Sequence, residues 1–297
     1  MSRAKHVFVA GGTGLVGRGV VATLLARGDR VTVGSRSASV ATSGAAVCSY
    51  DAVPGNVDAV VNLAGANIVG RRWSTAYKRE LWTSRVDFTQ MLVERLRAAG
   101  SRPEVWVNAS AVGIYGDRGA ASIDEDAPLG TGYLPDLCRA WETAASTAAV
   151  LGARVVILRI GIVLAREGGA LAKMATPFRW FVGGPIGRGR FFMSWIWRDD
   201  LVRMIVAALD DPRFRGTYNA TAPQPCTNKE LSQAIAGALR RPCLLPVPPL
   251  ALRLALGEVS THLSESQRVL PARALAQGFT FAHEHCRAAV YAELGGD

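Results

Sequence analysis

The sequence predicts an α/β fold, in which a doubly wound parallel sheet is followed by a smaller C-terminal α/β lobe. Short β-branched runs alternate with helical stretches through the first half of the chain, a pattern typical of parallel strands joined by crossover helices. After about Leu164, shorter helices alternate with loops rich in Gly and Pro. The length of 297 residues suits two unequal lobes that share a core. We therefore expect a first domain over 1–165 and a lobe over 166–297, with some segments of the lobe returning to the first core.

The elements of the first domain follow the apolar pattern in chain order. We expect strands at His6–Ala10, Arg30–Gly34, Ala45–Ser49, Val57–Leu63, Val105–Ala109 and Arg154–Ile160. We expect helices at Leu15–Arg27, Ser74–Ala99 and Leu134–Leu151, with Gly28 and Gly100 ending the first two. In the second lobe the pattern predicts helices at Asp200–Leu209 and Asn228–Leu239.

Composition and charge indicate which classes of protein fit. Hydrophobic residues make up 49% and charged residues 20%, as in soluble globular proteins, and no apolar run approaches the ~20 residues of a membrane span. The five cysteines are scattered and never spaced as CxxC, which favours free thiols in the cytoplasm over a disulfide framework or a metal site. The net charge is +10, but the Arg residues lie singly or in pairs, without a basic stripe. This spread disfavours nucleic-acid binding and favours a small anionic substrate.

A glycine-rich segment joins the first strand to the first helix. Its members are Gly11, Gly12, Thr13, Gly14, Leu15, Val16 and Gly17. Gly11 permits a tight turn, Gly14 lets the backbone approach a pyrophosphate, and Gly17 lets helix and strand pack closely. The N–H groups at the helix start, with the helix dipole, form an anion site. Because a strand precedes the segment and a helix follows it, we expect these residues to bind a dinucleotide.

The end of the second strand predicts which dinucleotide. Enzymes that use NAD place an acidic residue there to hold the ribose hydroxyls. This chain has Gly34, Ser35 and Arg36 instead, with no acid nearby. A guanidinium beside a hydroxyl suits a 2′-phosphate, because Arg forms charge-assisted bonds to phosphate. The sequence therefore predicts that the dinucleotide is NADP(H). The alternative is that Arg36 only caps a surface loop.

Several further segments carry a family resemblance. They are Asn62-Leu63-Ala64-Gly65, Arg72-Trp73, Ser84-Arg85, Ser110 to Asp117, Cys138 to Glu142, Arg159 to Leu164, Gly168 to Leu171, Gly183 to Gly187, and Ser194 to Ile196 with Asp199-Asp200. With the glycine turn, they resemble the extended short-chain dehydrogenase/reductase superfamily, and within it the epimerase-family branch also called cell-division-inhibitor-like. The resemblance implies a Rossmann lobe and a C-terminal substrate lobe. We expect the cofactor site to include Leu63, Ala64, Gly65, Ala109 and Ile160.

The same resemblance implies a catalytic Tyr, a Lys four residues later, and a Ser or Thr after the fifth strand. Ser110 fits the third role, where it would orient the substrate oxygen. The Tyr-x-x-x-Lys pair is absent, since its positions hold Leu137 with Trp141 or Cys138 with Glu142, depending on register.

Three candidates to replace the missing groups remain open. Tyr115 is a proton donor or a packed ring, Cys138 a thiol acid or a buried apolar residue, and Glu142 a base, a ribose ligand or a solvated carboxylate.

Arg188 and Arg190 follow a Gly-rich loop, and we expect them to bind an anionic substrate, with Trp195 as a pocket wall; a solvated loop and simple packing are the alternatives. No His, Cys or acidic residues have metal-ligand spacing, so we expect no metal. The sequence thus predicts an NADP(H)-dependent oxidoreductase or epimerase acting on a small soluble substrate, as a monomer or homodimer. The alternative is a non-catalytic NADP(H)-binding regulatory or interaction protein.

Overall fold

The computed structural model describes residues 4–36 and 44–295. Its strands are β1 (His6–Ala10), β2 (Arg30–Gly34), β3 (Ala46–Cys48), β4 (Ala59–Asn62), β5 (Val105–Ala111), β6 (Ser122–Ile123), β7 (Arg154–Ile160), β8 (Ile162–Leu164), β9 (Phe192–Met193), β10 (Trp195–Trp197), β11 (Gly216–Ala220), β12 (Cys226–Thr227) and β13 (Arg268–Val269). Its α-helices are α1 (Leu15–Ala26), α2 (Thr75–Trp82), α3 (Phe88–Ala98), α4 (Tyr133–Ser146), α5 (Gly169–Arg179), α6 (Arg198–Asp210), α7 (Asn228–Ala238), α8 (Pro249–Leu256), α9 (Val259–His262), α10 (Ala272–Ala276) and α11 (Cys286–Leu294).

A seven-stranded sheet forms the centre of the first lobe, in the order β11-β7-β5-β4-β1-β2-β3. Every pairing within it is parallel. The strand order reverses between β1 and β4, so a crevice opens there at the carboxyl ends of the strands. The predicted doubly wound, Rossmann-type sheet is confirmed.

The alternation of side chains along β1 explains the two helical layers. Val7 and Val9 face one side and pack in the core cluster that includes residues of α1 and α6. Phe8 and Ala10 face the other side and pack with residues of α3. All four side chains are fully buried. A strand buried on both faces reads as a continuous apolar run, which is why β1 was recognisable in the sequence.

The long helix expected over Ser74–Ala99 is divided into three parts. Ser74 caps α2 by accepting a hydrogen bond from the N–H of Tyr77 at 3.1 Å. A π-helical segment at Thr83–Asp87 then separates α2 from α3. Such wide turns rotate the side chains that follow and are frequent at functional sites. The helix expected over Leu134–Leu151 likewise ends in a 3₁₀ segment at Thr147–Leu151.

The C-terminal lobe has its own apolar cluster, which includes residues of α5, α7 and α11. Short strand pairs accompany it, β8 with β10 and β9 with β12. After it has entered the C-terminal lobe, the chain returns to the first lobe, because α6 packs on α1 and β11 joins the large sheet beside β7. None of the helices in the described ranges combines the length and apolar character that crossing a membrane requires.

Candidate functional site

The glycine turn lies between β1 and α1, at the point where the strand order reverses. Gly11 has a φ of +77°, and a Cβ there would stand 2.8 Å from the carbonyl carbon of Leu63. A Cβ on Gly17 would collide with the carbonyl oxygen of Gly11 and stand 2.7 Å from the Cα of Gly12. The N–H of Gly14 closes the turn by donating to the carbonyl of Gly11 at 3.0 Å. Only glycine fits at positions 11 and 17.

The start of α1 is left available to an anion. Gly14 is the N-cap residue and has no side chain to cap the helix, and the first turn contains no acidic residue. The backbone N–H groups of Leu15, Val16 and Gly17 therefore meet no competing carboxylate from that turn. A helix start of this kind suits a phosphate or pyrophosphate. Thr13, which precedes Gly14, is exposed.

A buried amide network fixes the segment that follows β4. Asn62 is fully buried, and its Nδ2 donates to Thr89 Oγ1 at 2.9 Å and to Asn108 Oδ1 at 2.8 Å. Its Oδ1 accepts a hydrogen bond from the N–H of Ala64 at 3.3 Å. This network holds Leu63, Ala64 and Gly65 beside the glycine turn, where the sequence had predicted cofactor contacts.

The end of β2 carries the two residues expected at a 2′-phosphate. Ser35 is buried, with its N–H donating to the carbonyl of Cys48 at 3.0 Å, and Arg36 is exposed. Tyr50, which the sequence reasoning missed, donates its hydroxyl to the carbonyl of Gly34 at 2.8 Å. Burial raises the pKa of Tyr50, while a hydrogen bond with the backbone of Gly11 and the charge of Arg36 oppose that rise.

Ser110 and Glu142 meet at the carboxyl end of the sheet. Ser110 Oγ donates to Glu142 Oε1 at 2.7 Å. The Glu142 carboxylate also forms a two-pronged ion pair with Arg159, with both N–O distances 2.9 Å. Burial alone would lower the pKa of Arg159, but hydrogen bonds to Glu142 and its negative charge raise it overall. Glu142 is therefore a fixed, paired carboxylate rather than the solvated one that was the alternative.

Tyr115 lies below the site, not at its surface. Its side chain is fully buried, and its hydroxyl donates to Asn219 Oδ1 at 2.7 Å while accepting from Arg159 Nη1 at 2.8 Å. Burial raises the pKa of Tyr115 despite the nearby guanidinium. Of the two alternatives for Tyr115, the structure favours the packed ring over the proton donor, because this hydroxyl already has both partners.

Cys138 also lies within the protein. Its side chain is 5% exposed, and burial raises the pKa of the thiol to about 12. A thiol with such a pKa is protonated at neutral pH and is a poor proton donor there. The structure favours the alternative reading, in which Cys138 is a small buried residue. Ala109 and Ile160 lie nearby and pack in a shared apolar cluster with Leu137 and Trp141.

The three residues predicted to bind substrate, Arg188, Arg190 and Trp195, do not lie in one pocket. Arg188 and Arg190 are exposed and line a pocket of about 650 Å³ together with Lys229. Trp195 is instead fully buried in the C-terminal cluster, and its indole N–H donates to the carbonyl of Gln224 at 3.0 Å. The expectation that Trp195 forms a pocket wall is therefore corrected.

Across 4–36 and 44–295, no group of three or more His, Cys, Asp or Glu residues is arranged to hold a metal ion.

Three of the polar residues that organise the site were absent from the sequence-based set. Arg159 and Asn219 lie on β7 and β11, and they meet Tyr115 only because those strands are neighbours in the sheet. Arg85 is buried beside Gly65, and its guanidinium lies over the ring of Trp141. Ser84-Arg85 was one mark of the resemblance, but nothing in its local pattern indicated burial.

Comparison with known protein families agrees with this geometry. The model of the NAD dependent epimerase/dehydratase family matches residues 7–220, from β1 to the end of β11. The chain belongs to this family. A second model, for a domain of unknown function (DUF1731), matches residues 247–292 of this epimerase/dehydratase family member. The resemblance to extended short-chain dehydrogenases/reductases is thus confirmed.

Relatives of this family member cover almost all of its length. The chloroplastic epimerase family protein SDR39U1 homolog of Arabidopsis thaliana is 41% identical over 300 residues, 96% of this chain and 86% of the relative. The crystal structure of human epimerase family protein SDR39U1 (isoform 2), solved with NADPH, has a TM-score of 0.89 and 34% identity, covering 98% of this chain and 99% of the other. A nucleoside-diphosphate sugar epimerase from Corynebacterium glutamicum has a TM-score of 0.79 and 31% identity, covering 99% of this chain and 59% of the other.

Proposed function

We propose that the protein binds NADP(H) and is an oxidoreductase or epimerase that acts on a small soluble substrate. The observation that carries this proposal is the tight glycine turn. A Cβ atom at Gly11 or Gly17 would collide with neighbouring backbone of the chain, so the turn can form only with glycine at these positions. The uncapped start of α1 suits the pyrophosphate, and Arg36 with Ser35 suits a 2′-phosphate. The human relative solved with NADPH supports the same choice of cofactor. The residues present therefore fit the cofactor.

The chemistry is divided between the cofactor and the chain. When bound, the nicotinamide supplies hydride transfer, which no side chain can perform. We propose that Glu142, paired with Arg159, holds the Ser110 hydroxyl in place and that Ser110 Oγ orients the substrate by accepting a hydrogen bond from a substrate hydroxyl. Tyr115 and Cys138 are then buried residues that pack beneath the surface of the site and do not contact the substrate. In this proposal water supplies the proton that the substrate needs, because Tyr115 is already engaged at its hydroxyl.

The substrate that we propose carries a negative charge. Arg188, Arg190 and Lys229 line one pocket, and an anionic group there would be held by charge-assisted hydrogen bonds. We propose that the partner is such a small molecule, and not a nucleic acid or a membrane. We also propose that the protein is a monomer or a homodimer. The free state of the five cysteines supports a reducing compartment such as the cytoplasm, although the Arabidopsis relative is named chloroplastic.

A turnover assay tests the enzymatic part of this proposal. The purified protein is mixed with NADPH and panels of aldehydes, ketones and imines, and the absorbance of the reduced nicotinamide is followed. Because an epimerase leaves the amount of cofactor unchanged, nucleoside-diphosphate sugars are followed by NMR in a second arm. We expect conversion in one arm, with loss of rate in Ser110→Ala. Gln replacing the exposed Glu94, which lies on α3, serves as the control and should retain the rate.

A second candidate function is a regulatory protein that senses NADP(H) without turnover. The observation in its favour is that the hydroxyl of Tyr115, the thiol of Cys138 and the carboxylate of Glu142 are all engaged or buried. Tight NADPH binding without conversion of any panel member would favour this candidate over the enzyme.

A further inference from the structure

Two cysteines that are far apart in the sequence lie together in the C-terminal lobe. Cys226 is on β12, and Cys286 is the first residue of α11. Their side chains are 5% and 8% exposed, and the two thiols form a hydrogen bond with each other. Both residues also line one pocket of about 490 Å³ at the surface of the lobe. A small reagent that enters this pocket therefore reaches both thiols.

The contact between α7 and α11 holds the two cysteines in this position. Thr227, which follows Cys226, caps α7 through a reciprocal pair of hydrogen bonds with Glu230. Near the other end of α7, a Cβ on Gly237 would collide with the hydroxyl of Tyr291 on α11, so the two helices pack closely. A disulfide forms without movement of the backbone only where two cysteine side chains already point towards each other. The hydrogen bond between these thiols meets that condition.

The two thiols differ in acidity. Their hydrogen bond raises the pKa of Cys226, and burial raises it further. The same hydrogen bond lowers the pKa of Cys286, although burial and the negative charge of Glu230 oppose that change. Cys286 also stands at the N-terminus of α11, whose first turn contains no acidic residue, and helix N–H groups stabilise a thiolate. Cys286 is therefore the nucleophile of the pair, and Cys226 is the partner that keeps its proton.

We propose that Cys226 and Cys286 form a redox-active thiol pair that a small hydroperoxide oxidises to a disulfide. This inference goes beyond the proposed function and requires no bound cofactor. The Cys286 thiolate attacks one oxygen of hydrogen peroxide, the O–O bond breaks, and hydroxide leaves as Cys286 becomes a sulfenic acid. Cys226 then attacks that sulfur, the S–O bond breaks, and the departing hydroxide takes the Cys226 proton to form water. The two sulfurs together lose two electrons, which the peroxide gains.

The alternative is that both cysteines are inert residues that only fill the apolar core of the lobe. Both side chains do pack in its apolar cluster. A shared metal site does not explain the pair, because His285 and Glu230 line the same pocket but do not join the thiols in a group arranged to hold a metal ion. Inert thiols would react slowly and independently of each other. A redox pair is lost in one step, and the loss of one thiol changes the product formed at the other.

The test is oxidation of the fully reduced, full-length protein by hydrogen peroxide, followed by mass spectrometry. The remaining thiols are alkylated after unfolding, and the peptides are then mapped. We expect two of the five thiols to disappear together, in a disulfide between Cys226 and Cys286, and dithiothreitol to restore both. In Cys226→Ser, oxidation of Cys286 should stop at the sulfenic acid, which dimedone traps. In Cys286→Ser, oxidation of Cys226 should be slower by about tenfold or more.

Cys48→Ser is the matched control, because Cys48 is a half-buried cysteine on β3 in the other lobe. It should form the same disulfide at the rate of wild type. If a serine variant does not fold, alanine takes its place, since it leaves no hydroxyl in the apolar cluster. Two thiols that stay reduced in folded wild type under peroxide, or a disulfide that joins other cysteines, would overturn the inference. Oxidation of Cys226 at the same rate in wild type and in Cys286→Ser would do so too.

Discussion

At the residue scale, one chain of polar side chains connects three strands and a helix below the candidate site. Ser110 leads to Glu142, Glu142 to Arg159, and Arg159 to Tyr115, whose hydroxyl continues to Asn219. The ion pair between Glu142 and Arg159 is almost excluded from water, with side-chain exposures of 12% and 7%. Low exposure makes each partner dependent on the other, because a lone buried charge is strongly unfavourable.

Removing the cation of this pair should destabilise the protein. In Arg159→Met the carboxylate of Glu142 and the hydroxyl of Tyr115 both lose a partner, so we expect the free energy of unfolding to fall by about 3–5 kcal/mol. Urea denaturation measures it. Arg139→Met removes an exposed guanidinium from a surface pair and should change stability by less than about 1 kcal/mol. Equal losses in the two variants would contradict the buried network.

Glu125 provides a pH-dependent test. Burial raises the pKa of its carboxyl above the ordinary 4.5, although hydrogen bonds from the N–H groups of Asn219 and Arg273 oppose the rise. A carboxyl whose folded-state pKa lies above the unfolded one contributes stability at low pH that is lost as the pH rises through the folded-state pKa. Gln cannot ionise. The stability of Glu125→Gln relative to wild type should therefore increase as the pH rises from about 4.

The measurement for Glu125 is a series of urea titrations at different pH values. Glu94→Gln is the control, because Glu94 is exposed and forms only a surface pair with Arg97. A difference between Glu125→Gln and wild type that stays constant with pH would show that the folded carboxyl titrates normally.

Residues joined by local pattern were predictable, whereas those joined by the tertiary fold were not. Gly11, Gly14 and Gly17 share one turn, so their spacing, with a strand before it and a helix after it, indicated a phosphate site. Tyr115 and Asn219 are over a hundred residues apart, and only the pairing of β7 with β5 and β11 brings Arg159 to them. Polar residues such as Tyr115 and Cys138 were candidates because sequence gives the residue type but not its burial.

At the element scale, the entry to α1 depends on two glycines that face different neighbours. A Cβ on Gly17 meets the backbone of Gly11 and Gly12, whereas a Cβ on Gly19 meets the side chain of Val202 at 2.9 Å. Backbone in a tight turn cannot give way, but a side chain at the contact between α1 and α6 can shift. The two positions therefore separate cofactor binding from helix packing.

We expect Gly17→Ala to weaken NADPH binding by at least about tenfold, because the turn must open to admit the new methyl group. Gly19→Ala should lower the free energy of unfolding by about 1–3 kcal/mol and leave NADPH affinity within about threefold of wild type. Fluorescence titration and urea denaturation measure the two quantities. NADPH affinity that is unchanged in folded Gly17→Ala would show that the turn does not hold the cofactor.

Element boundaries followed the sequence where one periodicity dominated. Strands β1, β2 and β7 begin and end as expected, since each is a β-branched run within the sheet. The stretch Ser74–Ala99 looked like one helix because apolar spacing continues across it. The π-helical segment at Thr83–Asp87 is invisible to that spacing, yet it contains Arg85. Strands of two or three residues in the C-terminal lobe carry too few alternations to be recognised.

At the scale of the whole molecule, the candidate residues lie in two places, one at the carboxyl end of the sheet and one in the C-terminal lobe. The sheet supplies the glycine turn, the segment after β4 and Ser110. Arg188 and Arg190 lie on a loop that precedes β9, where they line a pocket formed by residues of the C-terminal lobe. The class of sheet was predictable because alternating strands and helices have few packing solutions. The return of α6 and β11 to the sheet was expected only in outline, because strand order depends on contacts distant in sequence.

The central claim is that this cleft holds NADP(H) through the glycine turn and Arg36. Calorimetric titration of NADPH and NADH into wild type and Arg36→Ala tests it most directly. We expect wild type to prefer NADPH, and Arg36→Ala to lose about tenfold or more in NADPH affinity with little change for NADH, because only NADPH has a 2′-phosphate for the guanidinium. Equal effects on both nucleotides, or no binding of either to wild type, would contradict the claim.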